Sequence, residues 1–191
     1  GRVEIIPNSI FKETDTQLDI FQSQKRPDGT VDLFTRKGIW RYHPVAERVE
    51  PVNLNLKGLK VETWRDQYLV QTDRNTFKQL VDGRVARTLK FDGKGLPKLS
   101  RITSYTIVND QFWAVGEGAL LSMDLPDGEP VVWRNTPTQN YFAYPNLGGL
   151  EVIGSTVVVG NRSAGFEVFE YRGRHLQKKA AYYEDLANRR A

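Results

Sequence analysis

The sequence predicts an all-β fold made of four successive antiparallel repeats, and three observations support this. Four segments share one rhythm, in which alternating apolar strands are joined by short polar turns. The ends of the equivalent strands, at Thr35, Thr72, Gly116 and Gly160, are 37, 44 and 44 residues apart. No long pattern of helical period interrupts the series before the C-terminus.

Each repeat contains three well-marked strands and a weaker leading strand upstream. The predicted strands are 31–35, 39–42 and 48–52; 68–72, 76–80 and 84–89; 112–116, 119–123 and 130–133; and 156–160, 166–170 and 175–178. The leading strands are predicted at 17–22, 59–63, 101–107 and 147–153. Asp-Gly pairs favour tight turns. Hairpins are therefore expected at Asp28-Gly29, Asp82-Gly83 and Asp127-Gly128.

Two of the repeats carry a recognisable resemblance. Residues 119–133, ALLSMDLPDGEPVVW, look like a blade of quinoprotein-type β-propellers, with an apolar strand, an Asp, a glycine turn and a closing Trp. Residues 165–173, GFEVFEYRG, are similar to blades of many propeller families. The other repeats lack the closing Trp. The resemblance covers most of 17–178 and implies a scaffold, because a fold does not name a function.

Three architectures fit this resemblance: a complete four-bladed ring, part of a larger ring, or an open sandwich or barrel with similar hairpins. Residues 1–7 are expected to form a spare strand, which would complete the last blade or belong to a missing one. The chain is accordingly expected to be a fragment of a larger propeller. The predicted domains are a propeller-like repeat domain at 1–178 and a helical tail at 179–191.

The helical tail is predicted from composition. Residues 177–190 are rich in helix formers and contain neither Gly nor Pro, and Tyr182, Tyr183 and Leu186 form a short apolar stripe. This helix is expected to dock on the sheets or, alternatively, to seek a partner. In the sheets, apolar alternation predicts six buried residues on central strands. They are Val70, Phe77, Val115, Leu121, Val158 and Val168.

Composition excludes several classes of site. The chain has no cysteine, so disulfides, thiolate zinc sites and cysteine nucleophiles are excluded. No apolar run approaches the ~18–20 residues of a transmembrane helix. The 27 basic residues nearly balance 23 acidic ones, giving a net charge of +4 that permits an acidic partner or nucleic acid without indicating either. Compartment and oligomeric state stay open.

Catalytic motifs are missing from the sequence. The two histidines, His43 and His175, have no carboxylate at ligand spacing, and there is no zinc-protease, nucleophile-elbow or P-loop motif. No metal or cofactor is therefore expected, and binding is favoured over chemistry. Carboxylates from different repeats could still converge in a central funnel. A propeller enzyme of lyase, hydrolase or quinoprotein type remains the alternative.

A candidate binding face follows from the repeat geometry. Successive antiparallel strands reverse direction, so turns between second and third strands share one end with the links between repeats. The turns at this end carry mostly basic residues. The turns at the opposite end carry a mixture of acidic and basic residues, Arg65 and Arg172 among the basic ones. The candidate binding residues are Arg36, Lys37, Arg74, Arg162, Lys94, Lys98, Tyr141 and Tyr144.

The predicted function is a non-enzymatic protein-interaction scaffold within a larger assembly, with a protein as the favoured partner. Clustered cations steer an acidic surface, and tyrosines supply contact area. Nucleic-acid binding through the basic face is the other alternative. Ordinary solvated turn charge, and tyrosines that merely pack, would produce the same pattern without a partner.

Overall fold

The computed structural model describes residues 19–162 and 165–183, and it confirms the all-β prediction. These residues form sixteen strands in four antiparallel sheets of four strands each, in chain order. The described ranges contain no helix, and thus no helical segment with the length and apolarity needed to cross a bilayer. The spare strand expected at 1–7 lies outside the described residues.

Internal contacts divide the chain into two compact units, 1–89 and 90–191. Unit 1 holds the first two sheets, each an up-and-down run of neighbouring strands. Its strands are β1 Ile20–Lys25, β2 Val31–Thr35, β3 Gly38–His43, β4 Arg48–Asn53, β5 Lys60–Trp64, β6 Gln67–Asp73, β7 Thr76–Val81 and β8 Arg84–Lys90, whose last residue begins unit 2.

Unit 2 holds the third and fourth sheets, with the same connectivity. Its strands are β9 Ser104–Val108, β10 Gln111–Gly116, β11 Ala119–Asp124, β12 Val131–Arg134, β13 Leu147–Ile153, β14 Thr156–Asn161, β15 Gly165–Arg172 and β16 His175–Tyr183.

The three predicted Asp-Gly hairpins are confirmed. Asp28-Gly29 joins β1 to β2, Asp82-Gly83 joins β7 to β8, and Asp127-Gly128 joins β11 to β12. Asp82 and Gly83 have φ values of 49° and 76°. Two consecutive positive φ angles are typical of the type I′ turn, whose twist matches that of the strands it joins. Local sequence chemistry therefore fixes these strand ends.

Each unit has its own apolar core. In unit 1, Phe34 packs edge-on against Tyr68 at 5.0 Å, beside the buried Val70. In unit 2, Trp113 stacks on Trp133 at 5.9 Å. Four of the six core predictions are confirmed, because these residues are at most 1% exposed. They are Val70, Phe77, Val115 and Leu121.

The register predicted for the fourth repeat is wrong. Val157 and Val159 are buried, whereas Val158 and its cross-strand partner Val168 are half-buried. Three consecutive valines satisfy either register in sequence. Packing decides between them, because Val157 and Val159 join Phe169 in the core of unit 2.

The predicted C-terminal helix is also wrong where the structure describes it. Residues 179–183 belong to β16, which pairs with β15 beyond a register shift at Val168/Phe169. Phe166 stacks on Tyr182 at 4.9 Å. Strand pairing and this aromatic contact override helix propensity, which is a weak preference. Residues 184–191 of the expected tail lie outside the described residues.

Candidate functional site

The turns that carry Arg36, Lys37 and Arg74 leave unit 1 at one end. The Tyr68 hydroxyl, at the start of β6, donates a hydrogen bond to Asp32, at the start of β2, over 2.9 Å. The two strands therefore begin side by side and end at the opposite edge. The β2–β3 turn with Arg36 and Lys37 and the β6–β7 turn with Arg74 both follow at that edge.

All three of these cations face solvent. The Arg36 side chain is 80% exposed, and its Nε lies 3.2 Å from a carboxylate oxygen of the equally superficial Asp19. Lys37 and Arg74 are exposed, as is Lys57 in the link between the two sheets. Exposed ion pairs contribute little stability, so the charge at this end is not needed to hold the fold.

Two exposed leucines lie at the same end, and the sequence analysis missed them. Leu54 and Leu59 are 49% and 63% exposed, on either side of the buried anchor Leu56. Leu54 lies against Gly38 at the start of β3, and the Leu59 amide donates to the Gln71 carbonyl at 2.7 Å. We call Arg36, Lys37, Lys57, Arg74, Leu54 and Leu59 the basic rim.

Unit 2 carries the other predicted cations. Lys94 and Lys98 are exposed on the link that precedes β9. Two residues beyond Lys98, the Ser100 amide and hydroxyl both bond the carboxylate of Glu117 in the β10–β11 turn. Arg162, in the β14–β15 turn, is exposed, and its amide donates to the Asn146 carbonyl at 3.1 Å.

The link around Asn146 also meets the link that follows Lys98. The Thr103 hydroxyl shares its one proton between the carbonyl oxygens of Val115, at 3.0 Å, and of Leu147, at 2.8 Å. Val115 is near the end of β10 and Leu147 opens β13, next to the anchor of Arg162. Lys98 and Arg162 therefore flank one end of unit 2.

The two predicted tyrosines differ in environment. Tyr144 is 42% exposed and meets Tyr183 edge-on at 5.2 Å. Tyr141 is half-buried and packs beside Phe142 at 6.2 Å. The Asn135 carboxamide accepts hydrogen bonds from the amides of Tyr141 and Phe142, both at 2.8 Å. Tyr141 thus packs within its link, whereas Tyr144 offers a surface.

A cleft of about 600 Å³ opens at the other end of unit 1, where β1 turns into β2 and β5 into β6. Its volume lies in the ordinary range of ligand sites, ~300–1,000 Å³. We call it the polar cleft. Its lining is Gln24, Lys25, Arg26, Pro27, Asp28, Thr63, Arg65, Asp66, Tyr68 and Asp82.

A buried carboxylate, Asp32, organises the floor of the polar cleft. It is 1% exposed and accepts hydrogen bonds from Arg41 Nε at 2.7 Å, Arg26 Nη1 at 3.3 Å and the Tyr68 hydroxyl at 2.9 Å. A carboxylate with three such donors is well satisfied. Asp32 therefore fixes Arg26 and Tyr68, two lining residues, in single positions.

The sequence analysis missed this network, because a polar residue between Val31 and Leu33 suggests a solvent-facing position. A signal was nonetheless present, since Asp32 is directly opposite Arg41 in the β2–β3 register. Opposite charges at facing positions of a hairpin indicate a paired, inward network when the surrounding strands are apolar.

The network gives Tyr68 a pH dependence. Burial, reinforced by the charge of Asp32, raises the pKa of Tyr68 above its usual value of 10. In the unfolded chain Tyr68 ionises near pH 10, whereas in the folded chain it keeps its proton to higher pH. Its contribution to stability is therefore complete below pH 10 and is lost as the pH rises through the folded-state pKa.

Tyr68→Phe should therefore decline less in stability above pH 10 than the wild type, because phenylalanine has no proton to lose. Urea unfolding below and above pH 10, followed by circular dichroism, measures the difference. Parallel declines in the two proteins would contradict the assignment.

No metal site is evident in 19–162 or 165–183, where no three His, Asp or Glu side chains lie together in a suitable group. No protein-family profile matches the sequence, and no curated protein does.

Solved structures do match. The N-terminal domain of Nup159 aligns with a TM-score of 0.59 and 12% identity, over 84% of this chain and 48% of that one. A chain of the S. cerevisiae complex of Dbp5 with Nup159, Gle1, IP6 and ADP aligns with a TM-score of 0.59 and 11% identity, over 84% and 47%. KlHsv2 aligns with a TM-score of 0.55 and 13% identity, over 81% and 51%.

These neighbours are β-propellers, and the four-stranded antiparallel sheets of this chain are consistent with their blades. The chain spans about half the length of these three structures. At 11–13% identity the likeness establishes the fold alone. The predicted resemblance to β-propeller repeat proteins is confirmed at that level.

Proposed function

We propose that this protein is a non-enzymatic protein-interaction module of a larger assembly, and that its basic rim binds an acidic, partly apolar segment of a partner. One observation carries the proposal: exposed cations and two exposed leucines lie together at one end of unit 1. The cations attract carboxylates and speed encounter, and the leucines bury apolar area once contact is made.

A protein partner suits the rim better than nucleic acid does. Single strands bind through several aromatic side chains on which successive bases stack. This end of unit 1 exposes two leucines of the rim and one aromatic ring, that of Phe21 beside Gly58. The comparisons add support of a general kind, because a matched chain was solved in a complex that holds Dbp5, Nup159 and Gle1.

The equivalence of the repeats extends the proposal to unit 2. Arg162 occupies the same turn in the fourth repeat that Arg36 and Arg74 occupy in the first two. We therefore propose that Lys94, Lys98, Arg162 and Tyr144 form a binding surface of the same kind on unit 2, with Tyr141 supporting its link.

Reversing the charge of the rim tests the function. Arg36→Glu combined with Arg74→Glu should weaken binding of a fluorescein-labelled amphipathic peptide of Glu, Leu and Ala about tenfold, chiefly through slower association. Stopped-flow fluorescence over a salt series measures both rates. Stability should change by less than about 0.5 kcal/mol, because both arginines are exposed turn residues.

Arg48→Glu with Arg84→Glu is the matched control, since both arginines are exposed and are the first residues of β4 and β8, directly after the β3–β4 and β7–β8 turns. Equal binding by the wild type and the rim variant would show that the rim is ordinary solvated surface. Preferred binding of oligothymidylate, with a steep salt dependence, would instead favour the nucleic-acid alternative.

A further inference from the structure

Two of the three cations that line the polar cleft, Arg26 and Arg65, are already engaged, whereas the third, Lys25, is exposed at the end of β1. Arg26 bonds Asp32 and keeps only 19% of its side chain exposed. The Arg65 guanidinium lies over the Trp64 ring, 5.3 Å from its centroid, as in a cation–π contact. An incoming anion would have to compete with these partners for two of the three cations, so an acidic ligand would gain an unopposed contact from Lys25 alone.

Two carboxylates at the mouth of the cleft, those of Asp66 and Asp82, are more available for binding a ligand than its two engaged arginines are. The Asp82 side chain is 85% exposed, and its oxygen lies 4.0 Å from Arg26 Nη2, at the limit of an ion pair. Asp66 is exposed in the β5–β6 turn, and among the described residues it has neither an ion pair nor a hydrogen bond. Both carboxylates therefore retain acceptor capacity for a cation.

The rest of the lining offers the contacts that a peptide uses. Tyr68, 5% exposed, contributes a small surface to the floor, while Pro27 and Thr63 add apolar carbon. Hydrogen bonds from Arg26 and Tyr68 to Asp32 hold this floor in place before any ligand arrives. A fixed floor lowers the entropic cost of binding. About 600 Å³ accommodates a few residues of extended chain.

We propose that the polar cleft binds a short peptide segment that contains Lys or Arg. The carboxylates of Asp66 and Asp82 hold its cation, and its aliphatic carbons lie on Tyr68 and Pro27. This site is separate from the basic rim, at the other end of unit 1, and has the opposite preference for charge.

The test uses the full chain and an N-acetylated, C-amidated peptide of Ala, Lys and Arg as the probe. Amide chemical shifts followed by NMR should move at 24–26, 28, 63–68 and 82. Asp66→Asn with Asp82→Asn should weaken binding about tenfold or more, because two charge-assisted contacts are lost. Glu47→Gln with Asp73→Asn removes the same charge from exposed positions outside the cleft and should bind as the wild type does.

Three further arms complete the design. A peptide with Glu at every Lys and Arg position should not bind. Spermidine should bind more weakly than the peptide, because it lacks the backbone and side-chain carbons that the floor contacts. The Arg36→Glu, Arg74→Glu protein should bind the basic peptide normally, which separates this proposal from the function of the rim.

Equal affinity of the Asp66→Asn, Asp82→Asn protein and the wild type would overturn the proposal, as would shifts confined to other regions or no binding at all. Thermal unfolding checks that the variants fold. If the double variant does not, Asp66→Lys alone, in an exposed turn, takes its place and should also reduce binding of the basic peptide.

Discussion

Val157→Asp should prevent folding, whereas Val158→Asp should leave a folded protein. Val157 is fully buried in the core that contains Trp113 and Phe169, so an aspartate there would be an unpaired buried charge. The expected loss is about 4 kcal/mol or more. Val158 is half-buried on the other face of the sheet, where a carboxylate keeps contact with water, and its replacement should cost about 1–2 kcal/mol.

Urea unfolding of both variants, followed by tryptophan fluorescence and circular dichroism, measures this contrast. Leu121→Asp is the positive control, because Leu121 is fully buried in the third sheet. The reverse order, with Val158→Asp the more damaging change, would show that the fourth sheet has the register expected from sequence alone.

Asp32→Asn should be the most damaging polar substitution in unit 1. It keeps the shape of the side chain but removes the charge that Arg26 and Arg41 share, and removing one partner of a buried charge network costs about 3–5 kcal/mol. Tyr68→Phe removes one hydrogen bond to the same carboxylate and should cost only about 1 kcal/mol.

The free energy of unfolding in urea, at neutral pH, measures both changes. Asp73→Asn is the matched control, since Asp73 is exposed at the end of β6 and should change stability by less than about 0.5 kcal/mol. A loss from Asp32→Asn no greater than that of the control would mean that the arginines find water or other partners once the carboxylate charge is gone.

The repeats were predictable because strand alternation and turn chemistry are local properties. Asp82-Gly83 can be read from two residues, and its positive φ angles bear this out. The failures occurred where local pattern is ambiguous. Three valines in a row fit two registers, and the tail around Lys179 has helix formers that the structure places in a strand opposite β15.

The part of the candidate site that lies on turns was also predictable from local sequence. Turn positions follow from strand order, so the sequence indicated Arg36 and Arg74. The polar cleft did not follow, because its lining comes from three separated segments that only the folded unit brings together. The buried position of Asp32 was not predicted for a related reason. Two of its hydrogen-bond donors, Arg26 and Tyr68, do not belong to β3, the strand that follows it in the hairpin.

Because Asp32 is buried, the two ends of unit 1 should differ in how freely their residues can be substituted among related proteins. Residues of the basic rim are on exposed turns, so they are free to change with each new partner at little cost to the fold. Arg26 and Tyr68 in the polar cleft also satisfy Asp32, so altering either one disturbs the architecture. Amino-acid substitutions should therefore accumulate rapidly at the rim and slowly at the cleft floor. Asp66 and Asp82, which line the cleft without bonding Asp32, should change at an intermediate rate.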